Sequence, residues 1–110
     1  MIKSKVHVAR DYIEKNFATI EGLEDLAEQI GCNYHSLREV FSREMGIPLG
    51  RYLNLVRCAE AKRFLKNTNW KLYSIALEIG FKDEKYFIKV FKKVNGLSPN
   101  NFRKNKEINS

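Results

Sequence analysis

The 110-residue sequence has few of the residues that mark secreted, membrane or metal-binding proteins. It holds two cysteines and two histidines, and neither histidine has a cysteine at metal-ligand spacing. No apolar run approaches the ~18 residues of a membrane span, and the N-terminus lacks the apolar segment of a signal peptide. We therefore expect a cytoplasmic protein with no membrane partner, no metal and no cofactor. Its cysteines, Cys32 and Cys58, are expected to be buried free thiols.

The patterns of catalytic sites are missing from the sequence as well. It shows no Ser/His/Asp set, no Cys/His pair and no glycine-rich loop of the kind that holds phosphates. We therefore do not expect an enzyme.

Positive charge is what the sequence has in excess, with 20 Lys and Arg against 13 Asp and Glu. Residues 1–47 carry six basic and eight acidic side chains, a net charge of −2. Residues 48–110 carry fourteen and five, a net charge of +9. A basic half of this kind favours a polyanionic partner. Lysines that only keep the surface solvated are the alternative, although here they recur on one face of a predicted helix.

The most informative stretch covers residues 72–103, which reads as a helix, a tight turn and a second helix. The apolar stripe of the first helix is Leu72, Ile75, Ala76 and Ile79. Gly80 ends that helix, Asp83 is a good N-cap for the next one, and Gly96 ends it. The second helix is apolar on one side (Phe87, Val90, Phe91, Val94) and mostly basic on the other (Lys85, Ile88, Lys89, Lys92). The pattern indicates a DNA-reading helix-turn-helix, with a small helical bundle as the alternative.

An internal repeat relates the two halves of the chain. Leu23, Ala27, Ile30 and Gly31 recur 49 positions later, and Asn33, Leu37, Phe41, Gly46 and Tyr52 have counterparts 50 positions later. The repeat also aligns two outward faces, so one chain could offer two similar surfaces to one ligand. The predicted connecting helix, residues 48–67, would span about 30 Å. One turn of B-DNA separates major grooves on one face by roughly 34 Å, a similar scale.

These residues resemble the DNA-binding domain of the AraC/XylS family of bacterial transcription regulators. The similarity runs from about Val6 to Arg103. Its most specific part is Ile75, Ala76, Gly80, Phe81, Tyr86, Phe87, Phe91, Lys92, Gly96, Pro99 and Arg103. In the first half, Leu37, Phe41, Gly46, Tyr52, Arg57, Ala61 and Leu65 also fit.

The resemblance implies an all-α fold of about seven helices, with two helix-turn-helix subdomains joined by a long linking helix. We place the subdomains at residues 1–47 and 68–110 and the linking helix at residues 48–67, with residues 104–110 a disordered tail. By analogy with the family, base edges are contacted by His35, Ser36, Arg38, Glu39, Glu84, Lys85, Ile88 and Lys89. Phosphates are contacted by Arg43, Lys92 and Lys93.

Two features depart from the family pattern. Lys71 occupies the N-cap position of a helix, where its side chain cannot accept backbone N–H bonds, so that the helix start is expected to shift or fray. The acidic first half is expected to weaken the hold of phosphates on its recognition helix.

The sequence thus predicts sequence-specific binding of double-stranded DNA by two recognition helices in adjacent major grooves. The resemblance implies regulation, chiefly activation, of transcription through contact with RNA polymerase, in the nucleoid. The chain could be a stand-alone regulator or the C-terminal domain of a longer protein with a sensor or receiver domain. The alternative function is a helical adaptor module that binds an acidic protein partner.

Overall fold

The structure, a computed structural model, describes the backbone of residues 4–109 and the side chains of residues 4–105. Within this range the chain is all α-helical, as predicted. Seven helices follow one another: α1 (Lys5–Asn16), α2 (Leu23–Gln29), α3 (Tyr34–Met45), α4 (Leu49–Asn67), α5 (Leu72–Glu78), α6 (Glu84–Asn95) and α7 (Pro99–Asn109). Residues 1–3 and 110, which the predicted subdomains include, lie outside the described residues.

The chain divides after Val56 into two compact units, and this division falls inside α4. Unit 1 contains α1, α2, α3 and the first half of α4. Unit 2 contains the second half of α4 with α5, α6 and α7. We expected residues 48–67 to form a connector separate from both subdomains. The long helix is present, but each of its halves belongs to a different unit.

Unit 1 folds around apolar side chains that recur at helical spacing in each of its helices. The Ser4 side chain caps α1 by accepting the His7 backbone N–H at 3.3 Å. The buried core residues are Val6, Ala9, Ile13, Ile20, Leu26, Ala27, Leu37, Phe41, Leu49 and Leu53. This core holds α3 by one face and leaves the opposite face of α3 in solvent.

Unit 2 repeats this core with equivalent residues, and the repeat extends further than the sequence analysis found. The buried residues Cys58, Ala61 and Leu65 of α4 have the same spacing as Val6, Ala9 and Ile13 of α1. The aromatic contacts are repeated too. Phe41 and Tyr52 have ring centroids 5.6 Å apart, and Phe91 and Phe102 have centroids 5.7 Å apart. The second half of α4 is therefore the structural equivalent in unit 2 of α1 in unit 1.

The C-terminal tail differs from the prediction. We expected disorder from residue 104, but α7 continues to Asn109. The Ser98 hydroxyl caps α7 by accepting the Asn101 backbone N–H at 3.1 Å, and Pro99 follows the cap. Once a first turn is fixed in this way, each added residue costs little, so a polar sequence can continue the helix.

Two smaller expectations are also changed by the structure. Cys58 is buried as expected, whereas Cys32 is only half-buried. Helix α5 begins at Leu72, directly after Lys71, although the Lys71 side chain makes no capping bond. Packing of Ile75 and Ala76, which are fully buried, holds the start of this helix in place without a cap.

Candidate nucleic-acid interface

Helices α3 and α6 are built in the same way at both ends. The Asn33 side chain accepts the Ser36 backbone N–H at 3.0 Å, and the Asp83 side chain accepts that of Tyr86 at 2.7 Å. Each helix has 12 residues and ends at a left-handed glycine, Gly46 in α3 and Gly96 in α6. Fixed ends of this kind give each helix a defined length and rotation relative to its own core.

The turns that precede α3 and α6 are also equivalent. The Cys32 backbone N–H donates to the Ala27 carbonyl at 3.0 Å, and that of Phe81 donates to the Ala76 carbonyl at 2.9 Å. Gly31 and Gly80, which end the preceding helices, have φ angles of +74° and +107°. Only glycine adopts these angles without strain, so each turn can be tight. The chain therefore contains two helix-turn-helix motifs, α2–α3 and α5–α6.

Helix α3 carries all five site residues that were predicted for unit 1. His35, Ser36, Arg38, Glu39 and Arg43 are all exposed. An open depression on the outward face of α3 is lined by His35, Arg38, Glu39, Ser42 and Arg43. The structure thus brings four of the predicted residues together, while Ser36 lies outside the lining. The depression has donors and acceptors side by side, which is the chemistry that reads base edges.

The outward face of α6 is dominated by four exposed lysines, Lys85, Lys89, Lys92 and Lys93. Within the described part of the chain, none of them has a carboxylate within 4.0 Å. Like charges one helical turn apart destabilise a helix by about 0.2–0.5 kcal/mol per pair. Repulsion among these four lysines, which lie within nine residues, therefore destabilises α6, and a polyanionic ligand would reduce this repulsion.

Two predicted base-contacting residues of α6 are less accessible than the lysines. Glu84 and Ile88 are half-buried. Glu84 is the first residue of α6, directly after the Asp83 cap, and it lies in the first turn, where a carboxylate favours the helix dipole. Their part in binding stays a prediction.

Several basic side chains of unit 2 serve the fold. The guanidinium of Arg103 donates to the Leu65 carbonyl and to the Thr68 carbonyl, both at 3.2 Å, and so satisfies backbone oxygens at the end of α4. The ammonium groups of Lys62 and Lys66 lie 5.8 and 5.7 Å from the centroid of the Phe102 ring. The net charge of the C-terminal half therefore overstates the number of cations that can face a ligand.

Among the described side chains, Tyr52, Arg57 and Cys58 have pKa values that are shifted by their surroundings, and they lie off the outward faces of α3 and α6. Burial raises the pKa of the Cys58 thiol to about 11. Burial and a hydrogen bond to Glu14 raise the pKa of Tyr52 to about 12. Burial lowers the pKa of Arg57. All three side chains pack in or against the cores of the two units.

Among the described side chains, no group of three or more His, Cys, Asp or Glu could hold a metal ion. No helix in the described range is long and apolar enough to cross a membrane.

One exposed feature was missed by the sequence analysis. On α5, Tyr73 is 58% exposed and Leu77 is 45% exposed, one helical turn apart. The residues 49 positions earlier, on α2, are Glu24 and Glu28, which are also exposed. The repeat alignment shows that the fold does not need apolar side chains here. The sequence does contain a signal for this pair: Tyr73 and Leu77 are four residues apart and lie outside the buried stripe of α5.

Comparison with known proteins gives a consistent result. A family model described as a helix-turn-helix domain matches residues 26–105. The chain is 38% identical over 101 residues, or 89% of its length, to the "Bifunctional transcriptional activator/DNA repair enzyme AdaA" of Bacillus subtilis. It is 36% identical over 92 residues, or 84% of its length, to the "HTH-type transcriptional activator AarP" of Providencia stuartii. The chain spans 46% of AdaA, about half of its length, and 68% of AarP.

A solved structure agrees with the same fold. The C-terminal domain of AraT, a response regulator from Geobacillus stearothermophilus, superimposes with a TM-score of 0.88 at 32% sequence identity. The alignment covers 94% of this chain and 86% of that domain.

Proposed function

Because the chain belongs to the AraC/XylS family, as a helix-turn-helix DNA-binding domain of transcription regulators, we propose that it binds duplex DNA with sequence specificity through α3 and α6. The observation that carries the proposal is the pair of equivalent motifs, each with one face in its core and a polar or basic face outward. In a helix-turn-helix the second helix enters the major groove, and here the second helices are α3 and α6.

Residue roles follow from the chemistry of each exposed side chain. The Arg38 guanidinium can bond guanine O6 and N7 together, which discriminates against other bases by about 1–3 kcal/mol. Glu39 can accept a hydrogen bond from cytosine N4. His35, Ser36, Glu84, Lys85, Ile88 and Lys89 complete the proposed set of base contacts. Arg43, Lys92 and Lys93 are proposed to contact phosphates, which adds affinity without sequence choice.

We propose that the two recognition helices occupy adjacent major grooves. The presence of two equivalent helix-turn-helix motifs on one chain, α2–α3 and α5–α6, supports this proposal.

The biological role is proposed from the relatives. AdaA and AarP are both named transcriptional activators, which supports activation. RNA polymerase is our proposal for the protein partner of such an activator. AraT is a response regulator whose C-terminal domain aligns with this chain, which supports a sensor or receiver domain in a longer parent protein. The site of action would be the cytoplasm, on the nucleoid. The repair activity in the name of AdaA is not transferred, because this chain spans 46% of that protein.

Selection of bound duplexes from a random-sequence pool tests specificity, and titrations against single-base variants of the selected site then test the roles. We expect Arg38→Ala to lower discrimination at one base pair and Lys92→Ala to weaken binding to all variants alike. Lys15→Ala, a change of an exposed lysine on α1, is the control. Uniform loss from both variants would refute the assignment of roles. Selection that enriches no sequence would refute specific binding and favour the acidic-protein adaptor.

A further inference from the structure

The two units differ far more in charge than in fold. Divided after Val56, unit 1 carries seven Lys and Arg against eight Asp and Glu, a net charge of −1. Unit 2 carries thirteen against five, a net charge of +8. The same backbone plan therefore presents two electrostatically different surfaces. A ligand that is attracted by charge alone will distinguish between them.

The difference is concentrated on the recognition helices. Three of the four exposed lysines of α6 have uncharged or acidic counterparts 50 positions earlier on α3. Lys85, Lys89 and Lys92 correspond to His35, Glu39 and Ser42, and all six are exposed. The fourth position keeps its charge, as Lys93 in α6 and Arg43 in α3. Because the caps and lengths of the two helices match, these changes are not required by the fold.

The helices that precede α3 and α6 differ in the same direction. The first turn of α2 contains Glu24 and Asp25, whereas the first turn of α5 contains no acidic residue and follows Lys71. The N-terminal turn of the first helix in such a motif approaches the DNA backbone, where a carboxylate repels phosphate. In unit 1, then, both helices of the motif give phosphates little attraction.

We infer that the two units divide the work of binding: unit 2 alone holds DNA of any sequence, and unit 1 engages only where the bases fit. This inference rests on the proposed DNA-facing role of α3 and α6. Binding without sequence preference is supplied by cations that release counterions from phosphates. On this chain those cations are on α6. The side chains of α3, which combine Arg38 with Glu39 and His35, are suited to reading base edges and weak on the backbone.

The consequence is a chain that stays on DNA through unit 2 while unit 1 samples the adjacent sequence. At rising salt the hold of unit 2 weakens steeply, because each phosphate contact contributes about −0.9 to the slope of log K against log salt. The contribution of unit 1 depends mainly on hydrogen bonds to bases, with Arg43 as the proposed phosphate contact of α3, so this contribution responds less to salt.

The test uses the whole chain and a random-sequence duplex of about 24 base pairs, so it needs no knowledge of the preferred site. Fluorescence anisotropy gives the affinity between 50 and 200 mM KCl, and the slope counts phosphate contacts. The matched pair is Lys93→Gln and Arg43→Gln, which remove one charge each from equivalent exposed positions. On this duplex we expect Lys93→Gln to reduce the steepness of the slope by about 0.9. Arg43→Gln should leave the slope nearly unchanged, because the proposed phosphate contact of Arg43 forms only where unit 1 engages a matching site.

A second pair of variants exchanges the two faces. Lys85→His with Lys89→Glu and Lys92→Ser gives α6 the α3 side chains at these three positions. Because Lys92 is a proposed phosphate contact, the triple change is expected to reduce the steepness by at least about 0.9. His35→Lys with Glu39→Lys and Ser42→Lys does the reverse and is expected to steepen the slope. Circular dichroism and melting temperature check that these surface changes leave the fold intact.

The outcomes separate this inference from the proposed function beneath it. Equal reductions from Lys93→Gln and Arg43→Gln would overturn the division of work while leaving DNA binding by both helices standing. If neither variant reduces the steepness of the slope while DNA binding stays intact, both the division of work and the proposed DNA-facing role of α3 and α6 are overturned. Neither helix would then face the phosphates.

Discussion

The guanidinium carbon of Arg57 lies 5.4 Å from the centroid of the Phe81 ring, in the core of unit 2. Arg57 is 8% exposed, and Phe81 is the residue that follows the glycine of the α5–α6 turn. Unit 1 has a cation at the equivalent place, 52 positions earlier. There the ammonium of Lys5 donates to the Ile30 carbonyl at 3.2 Å, next to the α2–α3 turn. In both units a basic side chain supports the turn that sets the angle of the recognition helix.

The stacking of Arg57 should be sensitive to the shape of the cation. We expect Arg57→Lys to destabilise the chain by about 1–2 kcal/mol, because an ammonium cannot stack on Phe81 as a planar guanidinium does. Urea denaturation followed by circular dichroism measures this loss. Arg63→Lys is the matched control, since Arg63 is an exposed arginine of the same helix that pairs with Glu60. Equal stability of the two variants would show that the stacking contributes nothing.

The uncapped start of α5 offers a site for stabilisation. Lys71 occupies the N-cap with extended backbone angles, φ −67° and ψ 150°, but its side chain accepts no bond. Asn33 and Asp83 both accept such bonds at the starts of α3 and α6. We expect Lys71→Asp to stabilise the chain by about 1 kcal/mol and to raise its melting temperature. Lys71→Gln removes the charge without supplying a good cap, and it should give a clearly smaller gain.

The raised pKa of Tyr52 predicts a loss of stability at alkaline pH. Burial, together with the hydrogen bond that the Tyr52 hydroxyl donates to Glu14 Oε2 at 2.7 Å, raises this pKa from 10.0 to about 12. The folded chain holds this proton more tightly than the unfolded chain does. The stability that this difference in proton binding contributes is fully present below pH 10, and it is lost as the pH rises to 12.

The matched variants for this prediction are Tyr52→Phe and Tyr73→Phe. Tyr52→Phe should lower the stability of the chain at pH 8. Between pH 10 and pH 12 this variant should lose less stability than the parent does. Tyr73 is 58% exposed, so Tyr73→Phe should follow the parent across the range. Denaturation midpoints at each pH provide the comparison. Identical alkaline losses of stability for the parent and Tyr52→Phe would argue against ionisation of Tyr52 as the cause.

The two exposed apolar side chains of α5, Tyr73 and Leu77, should be dispensable for folding. Since α2 carries Glu24 and Glu28 at the positions of Tyr73 and Leu77, we expect Tyr73→Glu with Leu77→Glu to change stability by no more than about 0.5 kcal/mol. The melting temperature should stay close to that of the parent. Ile75→Glu is the contrasting change, because Ile75 is fully buried on the same helix and a carboxylate there should unfold unit 2. A large loss from the double variant would mean that these side chains pack against the fold.

Local signals in the sequence were sufficient for most of the fold. Apolar residues at helical spacing, with Asn33 and Asp83 as caps and Gly46 and Gly96 as stops, predict α3 and α6 with their observed ends. These signals act within a few residues along the chain, so they can be recognised without tertiary structure. The outward position of Arg38 and the α6 lysines follows from the same periodicity, because burying Leu37, Phe41, Phe87 and Phe91 leaves the other face in solvent.

Long-range packing decided the rest. In the sequence, Arg57 and Arg103 are simply two of the basic residues. Only the folded chain shows that Arg57 stacks on Phe81 and that Arg103 donates to the Leu65 and Thr68 carbonyls. The division of α4 falls after Val56, so that Leu53 is buried in unit 1 and Cys58 is buried in unit 2. The half-burial of Glu84 and Ile88 likewise depends on neighbouring elements, since periodicity gives a direction from the helix axis and not the depth of the surrounding surface.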